Sequence, residues 1–312
     1  MDSINVHDIT HRIKAEAQSL GFSACGIAKA EPVDERVAQN YRRWLSDGNN
    51  ADMAYLENNL EKRLDPTLLF PGAKSIISLA LNYYPSVRLA DDQYQFAYYA
   101  YGKDYHDVMK QKMRELVAAA GLGDICQVML CVDTVPILDR YWAWKAGLGW
   151  VGKNTNLIIP HSGSYFFLCE IIVDKELEYD APMDNHCGTC RKCLDSCPTG
   201  ALFEAYGINA RKCLSYLTIE HRGDFPSLAS PAPSDSSTPY IYGCDRCQLA
   251  CPYNKFAIPT SIQEFAPSSE FLSMRPSDWS TLTIEQYRTL FKGSAVKRAK
   301  YEGLIRNIKA IK

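Results

Sequence analysis

The sequence predicts a mixed α+β / α/β fold, with a central sheet and flanking helices, then a metal-binding segment, then a helical tail. Three observations predict this organisation. Helix-like and strand-like patterns alternate over residues 1–180, which is typical of a sheet covered by helices. Eight of the twelve cysteines fall between Cys187 and Cys251. Beyond residue 283 apolar residues recur at helical spacing. We therefore expect three regions, at residues 1–180, 181–260 and 261–312.

The elements of the first region follow from apolar spacing and from residues that break helices. Gly21, Gly48 and the Asp65-Pro66 pair end three helical patterns, and Pro136 is expected to open another. Apolar runs of strand length separate these patterns. The predicted helices lie at 9–20, 36–47, 53–64, 104–120 and 136–146. The predicted strands lie at 22–28, 75–83, 125–132, 157–159 and 165–173.

Composition narrows the class of protein. The chain has 312 residues, with 34 basic and 36 acidic side chains and a formal net charge of −2. No stretch approaches the roughly 18 apolar residues of a membrane helix, and the polar N-terminus does not resemble a signal peptide. We expect a cytoplasmic protein without a membrane partner. In such a reducing compartment, clustered cysteines are more often ligands than disulfides.

The clustered cysteines form two runs, each ending in a Cys-Pro pair. The first, CGTCRKCLDSCP at 187–198, matches the C-x2-C-x2-C-x3-C-P run that binds [4Fe–4S] clusters in bacterial ferredoxins. The second contains Cys213 and then CDRCQLACP at 244–252. In ferredoxin-like segments of this kind, the fourth cysteine of a run binds the other cluster. We therefore predict two clusters in a ferredoxin-like region. One has the ligands Cys187, Cys190, Cys193 and Cys251, and the other has Cys197, Cys213, Cys244 and Cys247.

Two structural zinc sites would also use eight thiolates, but zinc sites usually pair two C-x2-C knuckles across a gap. Three closely spaced cysteines in one run favour iron–sulfur clusters, and two adjacent clusters imply a one-electron relay. The long gap between Cys213 and Cys244 departs from the simplest ferredoxin spacing. The other four cysteines are expected to be small buried residues. They are Cys25, Cys126, Cys131 and Cys169.

A glycine-rich stretch, Gly147 to Asn154, fits G-x-G-x-x-G and nearly fits a phosphate-binding loop. Nucleotide binding is disfavoured because a helix precedes the glycines and a strand follows them, which reverses the required order. Asn154 also stands where that loop needs a hydroxyl. The glycines still permit close backbone approach to another group, to which Lys153 and Asn154 would supply polar contacts.

Asp133 follows a predicted strand, and two interpretations of it stay open. Ligands bind at the carboxyl ends of strands in open α/β sheets, so Asp133 is a candidate site residue. Alternatively, Asp133 or Thr134 caps the helix expected at Pro136. The six histidines show no paired spacing typical of metal ligands, and we expect them to be structural or exposed.

The near-neutral net charge conceals a basic tail. Eight basic residues and one acidic residue lie between 288 and 312, a net +7 that leaves −9 for the rest of the chain. A basic helix on an acidic body fits a polyanionic partner, although a merely solvated helix face is the other interpretation.

The chain resembles the epoxyqueuosine reductases, which are iron–sulfur and cobalamin enzymes of tRNA queuosine biosynthesis. The similarity extends over nearly the whole chain. It includes VDTVPILDRYWAWKAGLGWVGKNTNLI at 132–158, CGTCRKCLDSCPTGAL at 187–202 and RKCLSYLTIEHRG at 211–223. It also includes YGCDRCQLACPYN at 242–254 and SAVKRAKYEGLIRN at 294–307.

The resemblance implies that the 1–180 region binds cobalamin and that the substrate is epoxyqueuosine in a tRNA anticodon loop. It implies that Asp133 is the acid that protonates the epoxide oxygen. Arg140 is then expected to be a partner of the substrate or of Asp133. General acid catalysis contributes roughly 10²–10⁴-fold in rate. For this role we expect burial to keep Asp133 protonated by raising its pKa. Cobalamin contacts are expected at Tyr99, Asp133, Lys153, Asn154 and Ser215, and tRNA contacts at Lys297, Arg298 and Arg306.

Two alternatives belong to other functional classes. A cobalamin-dependent reductive dehalogenase-like enzyme would share the clusters but would leave the basic tail unexplained. A non-catalytic ferredoxin-type carrier would need neither cobalamin nor Asp133. We further expect an external one-electron donor and a monomeric protein, and we interpret the Ser/Pro-rich insert at 227–239 as a loop.

Overall fold

The computed structural model describes residues 5–225 and 239–311. The insert at 227–239 lies outside the described residues except for Pro239. Within them, no helix is long and apolar enough to span a membrane. The α-helices are α1 (Val6–Ser19), α2 (Glu35–Ser46), α3 (Leu60–Leu64), α4 (Pro66–Leu69), α5 (Tyr105–Ala119), α6 (Asp139–Lys145), α7 (Lys192–Asp195), α8 (Leu214–Ile219), α9 (Arg246–Leu249), α10 (Ser269–Ser273), α11 (Pro276–Ser280), α12 (Ile284–Leu290) and α13 (Lys300–Ala310).

The predicted central sheet is confirmed, and it has four strands in the order β1-β2-β7-β4. Every neighbouring pair in this sheet is antiparallel. The argument that Asp133 lies at a ligand-binding edge of parallel strands therefore does not apply, although Asp133 does follow an edge strand. The strands are β1 (Ala24–Lys29), β2 (Ser75–Asn82), β3 (Gln95–Phe96), β4 (Val128–Cys131), β5 (Trp150–Val151), β6 (Leu157–Ile158), β7 (Phe166–Val173) and β8 (Tyr240–Tyr242).

Two predicted helices differ from the structure. The helix expected over 53–64 is a short 3-10 turn at Ala54–Leu56 followed by α3, because Asn59 adopts a left-handed conformation and interrupts the helix. The helix expected at Pro136 begins only at Asp139. Leu138 occupies its N-cap position and makes no side-chain cap bond. Neither Asp133 nor Thr134 is therefore a helix cap.

The sheet separates two apolar cores. On one face, side chains of β7 such as Cys169 and Ile171 pack with α1 and α5. The same core contains Trp279, Phe291 and Leu304 from the C-terminal helices. On the other face, Ile172 packs beneath Trp142 of α6. The helical tail therefore shares a core with the N-terminal half of the chain.

A short parallel pair joins the cysteine-rich segment to the first region. Gln95 and Phe96 of β3 pair with Tyr240 and Tyr242 of β8, just before Cys244. Sequence patterns did not predict this pair because strands of two and three residues are too short for a period to be recognised. The pairing holds the second cysteine run beside the segment that leads into α5.

Candidate functional site

Asp133 lies just beyond β4, where the chain leaves the sheet. Its φ is +38°, a conformation that is uncommon outside glycine and that occurs often at functional sites. Val132 before it is buried, whereas the Asp133 side chain is 62 % exposed. The fold therefore holds the backbone firmly and presents the carboxylate to the outside.

Two side chains from the start of α5 hold this carboxylate. Oδ2 of Asp133 accepts a hydrogen bond from the Tyr105 hydroxyl at 2.9 Å and lies 3.2 Å from His106 Nε2. The other ring nitrogen of His106 lies 2.7 Å from Asp104. Asp104 is also the N-cap of α5, since its side chain accepts from the His106 amide at 3.1 Å. One capping residue thus fixes the helix start and orients the imidazole towards Asp133.

The imidazole between two carboxylates is a stable cation. Hydrogen bonds to Asp104 and then to Asp133 raise the pKa of His106 to about 9. The bond from His106, and after it the bond from Tyr105 and the charge of Arg140, lower the pKa of Asp133 below its usual value, and burial opposes them. The expectation that burial keeps Asp133 protonated is therefore wrong. In the free protein Asp133 is a carboxylate, and the proton resides on His106.

Aromatic rings pack against Tyr105, the residue whose hydroxyl binds the Asp133 carboxylate. Tyr105 stacks on Phe167 of β7 with ring centroids 4.4 Å apart and an interplanar angle of 8°. Tyr99 packs edge-on against Tyr105, and its hydroxyl lies 3.2 Å from that of Tyr242. Tyr99, a predicted cobalamin contact, therefore lies in the layer behind Asp133.

The eight clustered cysteines lie close enough to one another in space to affect each other's pKa. Burial, and after it the neighbouring thiols of Cys187 and Cys193, raise the pKa of Cys251. Burial, and after it the thiols of Cys213 and Cys247, raise the pKa of Cys244. Cys197 is the thiol neighbour of Cys213, and Cys190 is a neighbour of Cys193. These neighbours fit the exchange of the last cysteine between the runs, but Cys193 also acts on Cys247, so the division into two ligand sets stays a prediction.

The glycine-rich stretch after α6 joins both cysteine runs to the first region. The Lys153 ammonium donates to the carbonyls of Gly188 at 2.6 Å and Cys190 at 2.9 Å. The Asn154 amide donates to the carbonyl of Cys247 at 3.3 Å. Both residues were predicted as cobalamin contacts, and the bonds that the structure gives them are to the two cysteine loops. Ser215, the other such prediction, lies half-buried on α8, two residues after Cys213.

Tyr83 lies near Cys247 of the second cysteine run and near Arg140, which in turn lies near Asp133. Burial is the main cause of its raised pKa, and the charges that act on it include those of Arg140 and Cys247. Arg140 is exposed on the first turn of α6 and also acts on Asp133. The second cysteine run and Asp133 therefore face a common region of the molecule.

The predicted tRNA contacts differ in how far the protein itself uses them. Lys297 is exposed. Arg298 is 54 % exposed and pairs with Glu220 at 2.8 Å, with its guanidinium 5.7 Å from the centroid of the exposed Tyr55 ring. Arg306 has a different role, because its guanidinium donates to the carbonyls of Leu217, His221 and Gly223. Lys297 and Arg298 lie at the surface, while Arg306 ties α13 to the segment after α8.

Sequence reasoning missed Tyr105 and His106. His106 was expected to be structural or exposed, yet its ring joins two carboxylates at the site. The available signal was local: Asp104 opens a helical pattern, and a polar aromatic pair follows it directly. A cap that precedes two hydrogen-bonding side chains places both on the first turn of the helix, where they can reach a neighbouring loop.

Comparisons with known proteins agree with this geometry. Residues 63–134 match the family described as "Epoxyqueuosine reductase QueG, DUF1730", and residues 186–254 match a "4Fe-4S double cluster binding domain". The epoxyqueuosine reductase of Cellulophaga algicola is 45% identical over 96% of this chain and 97% of its own length. That of Leadbetterella byssophila is 44% identical over 98% of this chain and 99% of its own.

Two solved structures are also similar. One is an epoxyqueuosine reductase with an epoxyqueuosine-modified tRNA-Tyr stem loop, at a TM-score of 0.88 and 30% identity, covering 98% of this chain and 81% of that one. The other is the Bacillus subtilis enzyme with its catalytic aspartate loop swung out of the active site. It has a TM-score of 0.85 and 29% identity, and the match covers 98% of this chain and 82% of that one.

Proposed function

The chain belongs to the epoxyqueuosine reductase family, and from this premise we propose how its residues serve the reaction. It is an oxidoreductase that converts epoxyqueuosine to queuosine at the wobble position of tRNA. The observation that carries this conclusion is the identity of 45% to a curated reductase over nearly the full length of both chains. In the reaction the epoxide takes up two electrons and two protons, its oxygen leaves as water, and a carbon–carbon double bond remains.

Two [4Fe–4S] clusters and cobalamin serve this reaction. We assign Cys187, Cys190, Cys193 and Cys251 to one cluster and Cys197, Cys213, Cys244 and Cys247 to the other, as the neighbouring thiols support. Lys153 and Asn154 hold the backbone of both cluster loops. Cobalamin, when bound, supplies a reduced cobalt that is a strong nucleophile towards an epoxide carbon.

The residues present fit a group bound between the second cluster and Asp133. The charges of Cys247 and Arg140 both act on Tyr83, and Arg140 also acts on Asp133, so a redox group beside Tyr83 would lie close to both the electron source and the acid. Tyr99, Asp133, Lys153, Asn154 and Ser215 remain our candidates for residues that hold it. Ser215 is two residues from Cys213, and Asn154 donates to the carbonyl of Cys247.

Proton supply to the epoxide oxygen is assigned to His106 and Asp133 acting together. Asp133 reaches the substrate because its side chain is exposed, and the His106 cation donates to the same carboxylate oxygen at 3.2 Å. Because Asp133 is ionised in the free protein, the proton passes from His106 to Asp133 and from Asp133 to the epoxide oxygen, and Asp104 steadies the imidazole as it loses its charge. Tyr105 fixes the carboxylate through a second hydrogen bond. Arg140, whose charge acts on Asp133, orients the substrate oxygen.

The tRNA approaches from the side of Lys297 and Arg298. Arg298 lies close enough to Asp133 for the two charges to interact, so the basic surface adjoins the acid. Phosphate contacts by such side chains position a nucleic acid without reading its sequence. Because tRNA is the substrate, we place the reaction in the cytoplasm. We further propose that the protein acts as a monomer and takes electrons from an external one-electron donor.

The function is tested by incubating anaerobically reconstituted protein with an epoxyqueuosine-modified anticodon stem-loop and a chemical reductant. Mass analysis of the digested RNA should show queuosine. The ferredoxin-type alternative predicts no conversion, and a dehalogenase-like enzyme would act on halogenated substrates instead. The curated relatives favour neither alternative, since all those named above are epoxyqueuosine reductases.

The ligand assignment is tested by iron content. The wild-type protein should contain about eight irons, four per cluster. Cys213→Ser should lower this to about four, because one cluster loses a ligand, while the matched change Cys126→Ser should leave it unchanged. Full iron content in Cys213→Ser would remove Cys213 from the ligand set.

A further inference from the structure

A buried carboxyl group lies in the middle of the central sheet. Glu170 of β7 is 0% exposed, and its partners in the sheet register are Ser78 of β2 and Cys131 of β4. Its side chain points to the face covered by α6, because Leu168 and Ile172, two residues to either side, pack in that core. A charged group at such a position is costly unless it is paired or neutral.

The partner of Glu170 is Asp139, the first residue of α6. Both oxygens of Glu170 and Oδ1 of Asp139 are buried where α6 packs on β7, and a hydrogen bond between the two carboxyl groups acts on the pKa of each. Among the described residues, no donor group reaches either oxygen of Glu170 or Oδ1 of Asp139. An ionised carboxylate is only an acceptor, and two of them in contact repel. The contact therefore requires one shared proton.

Burial decides which residue holds the proton. It raises the pKa of Glu170 well above its usual range, and the charge of Asp139 adds to this. Burial also raises the pKa of Asp139, followed by the charge of Asp133, whereas Arg140 lowers it. The thiol of Cys131 also faces the pair, and the thiol of Cys169 lies next to Glu170 on the opposite face of the sheet. Burial raises the pKa of both thiols, so they stay neutral. Glu170, with no exposed surface and no nearby cation of its own, is the acid of the pair.

We propose that Glu170 is a neutral carboxylic acid that donates a hydrogen bond to the Asp139 carboxylate, and that this bond is a positioning device for the catalytic loop. It ties the first turn of α6 to the centre of the sheet. The segment between Asp133 and Leu138 then runs from β4 to a fixed point. Neither residue contacts the substrate. The inference rests on the proposed function only in assigning Asp133 its catalytic role.

The Glu170–Asp139 bond matters because the catalytic aspartate loop of a related enzyme is able to move. The Bacillus subtilis enzyme has been solved with its catalytic aspartate loop swung out of the active site. Here Asp133 is held by Tyr105 and His106 at its side chain, and the Glu170–Asp139 bond holds the far end of the same loop. When the shared proton is lost, the two adjacent carboxylates repel each other and the far end of the loop is released.

The pH dependence has a definite sign. The pKa of Glu170 is raised in the folded protein, so the folded protein keeps a proton that the unfolded chain releases above about pH 4.3. Stability from this group is therefore complete below that value and declines as pH rises towards the folded pKa. Glu170→Gln keeps a donor for Asp139 but cannot ionise, so it removes this dependence.

The first test concerns the proton itself and does not depend on activity. Infrared spectra of wild-type protein that carries its clusters and cobalamin should contain the carbonyl stretch of a protonated carboxylic acid. This band should shift in D2O. The band should be absent in Glu170→Gln and present in Glu176→Gln, a matched change at an exposed position near the end of the same strand. The Tm of Glu170→Gln relative to wild type should rise as pH increases from about 5 to about 8. An unchanged band, or a Tm difference independent of pH, would overturn the proposal.

The second test concerns position. Glu170→Gln should convert the stem-loop near the wild-type rate, whereas Glu170→Leu, which cannot bond Asp139, should lose roughly 10- to 100-fold in kcat with little change in KM. Equal rates for the two variants would exclude the positioning role. If Glu170→Leu does not fold, the infrared and Tm results for Glu170→Gln decide. If wild-type protein converts no substrate, the proposed function fails while those two results still judge the pair.

Discussion

Carboxyl groups lie at both ends of one short loop, and the two ends are kept in opposite states of charge. At its start, Asp133 is exposed and accepts bonds from Tyr105 and the His106 cation, which keep it ionised. At its end, Asp139 meets Glu170 in the apolar interior, and burial keeps a proton on the pair. The difference teaches that the partners of a carboxyl group, more than its type or its place in the sequence, set its charge.

The largest effect is expected from the exposed end. Asp133→Asn should lower kcat by roughly 10²–10⁴-fold, because the amide cannot pass a proton to the epoxide oxygen. Tm and iron content should stay close to wild type, since the side chain is mostly outside the core. Asp92→Asn, at another exposed position, is the control. Full activity in Asp133→Asn would exclude the proton-donor role and end the functional contrast between the two ends.

The next largest effect is expected from His106, which holds the proton that Asp133 passes to the substrate. Because its partners raise the pKa of His106 from its usual 6.5 to about 9, kcat should fall as pH increases through about 9. His106→Gln keeps a donor but has no titrating proton, so it should lower kcat at neutral pH and remove this alkaline limb. A pH–rate profile from single-turnover conversion of the stem-loop measures both. A limb that persists in His106→Gln would assign the titration to another group.

At the other end of the loop, substitutions of Asp139 should lower the stability of the folded protein. Asp139→Ala leaves the Glu170 acid buried without its acceptor, which costs about 1–3 kcal/mol and should lower Tm. Asp139→Asn keeps an acceptor and should cost less. Thermal unfolding of the two variants compares them directly. Equal losses would mean that the hydrogen bond contributes nothing beyond packing.

The smallest effect concerns two basic residues, of which one lies at the surface and the other binds carbonyls of the protein itself. Lys297→Ala should weaken stem-loop binding and reduce the slope of log K against log salt by roughly one, as expected for one lost phosphate contact. Arg306→Ala should instead lower Tm, because its guanidinium serves protein carbonyls. A reduced salt slope in Arg306→Ala would return that residue to the tRNA surface.

The cysteine runs and the main elements could be predicted from sequence because their signals are local. Spacing along the chain predicts which thiols share a cluster, and the influence of Cys187 and Cys193 on Cys251 supports the predicted exchange between the runs, while the full ligand sets stay a prediction. Helical periods likewise predicted α1, α2 and α5 to within a few residues. Asp133 was identified as a candidate from its position after a strand and from the family resemblance.

The state of Asp133 could not be predicted because it depends on residues far along the chain. His106 precedes Asp133 by 27 positions, and no periodic pattern reports that their side chains meet. Glu170 interrupts an apolar strand, and no local pattern predicts its contact with Asp139, because Asp139 lies on another element. The antiparallel order of the sheet was missed for the same reason: alternation of helices and strands does not determine strand direction.

The stretch from Asp133 through α6 to Asn154 carries the acid at one end and the contacts to both cluster loops at the other. This arrangement limits how the chain can change in length. One residue inserted in α6 would rotate everything beyond it by about 100°, which would displace Lys153 and Asn154 from the cluster loops while Asp133 stayed in place. Insertions along this stretch are therefore expected to separate the acid from the cluster loops.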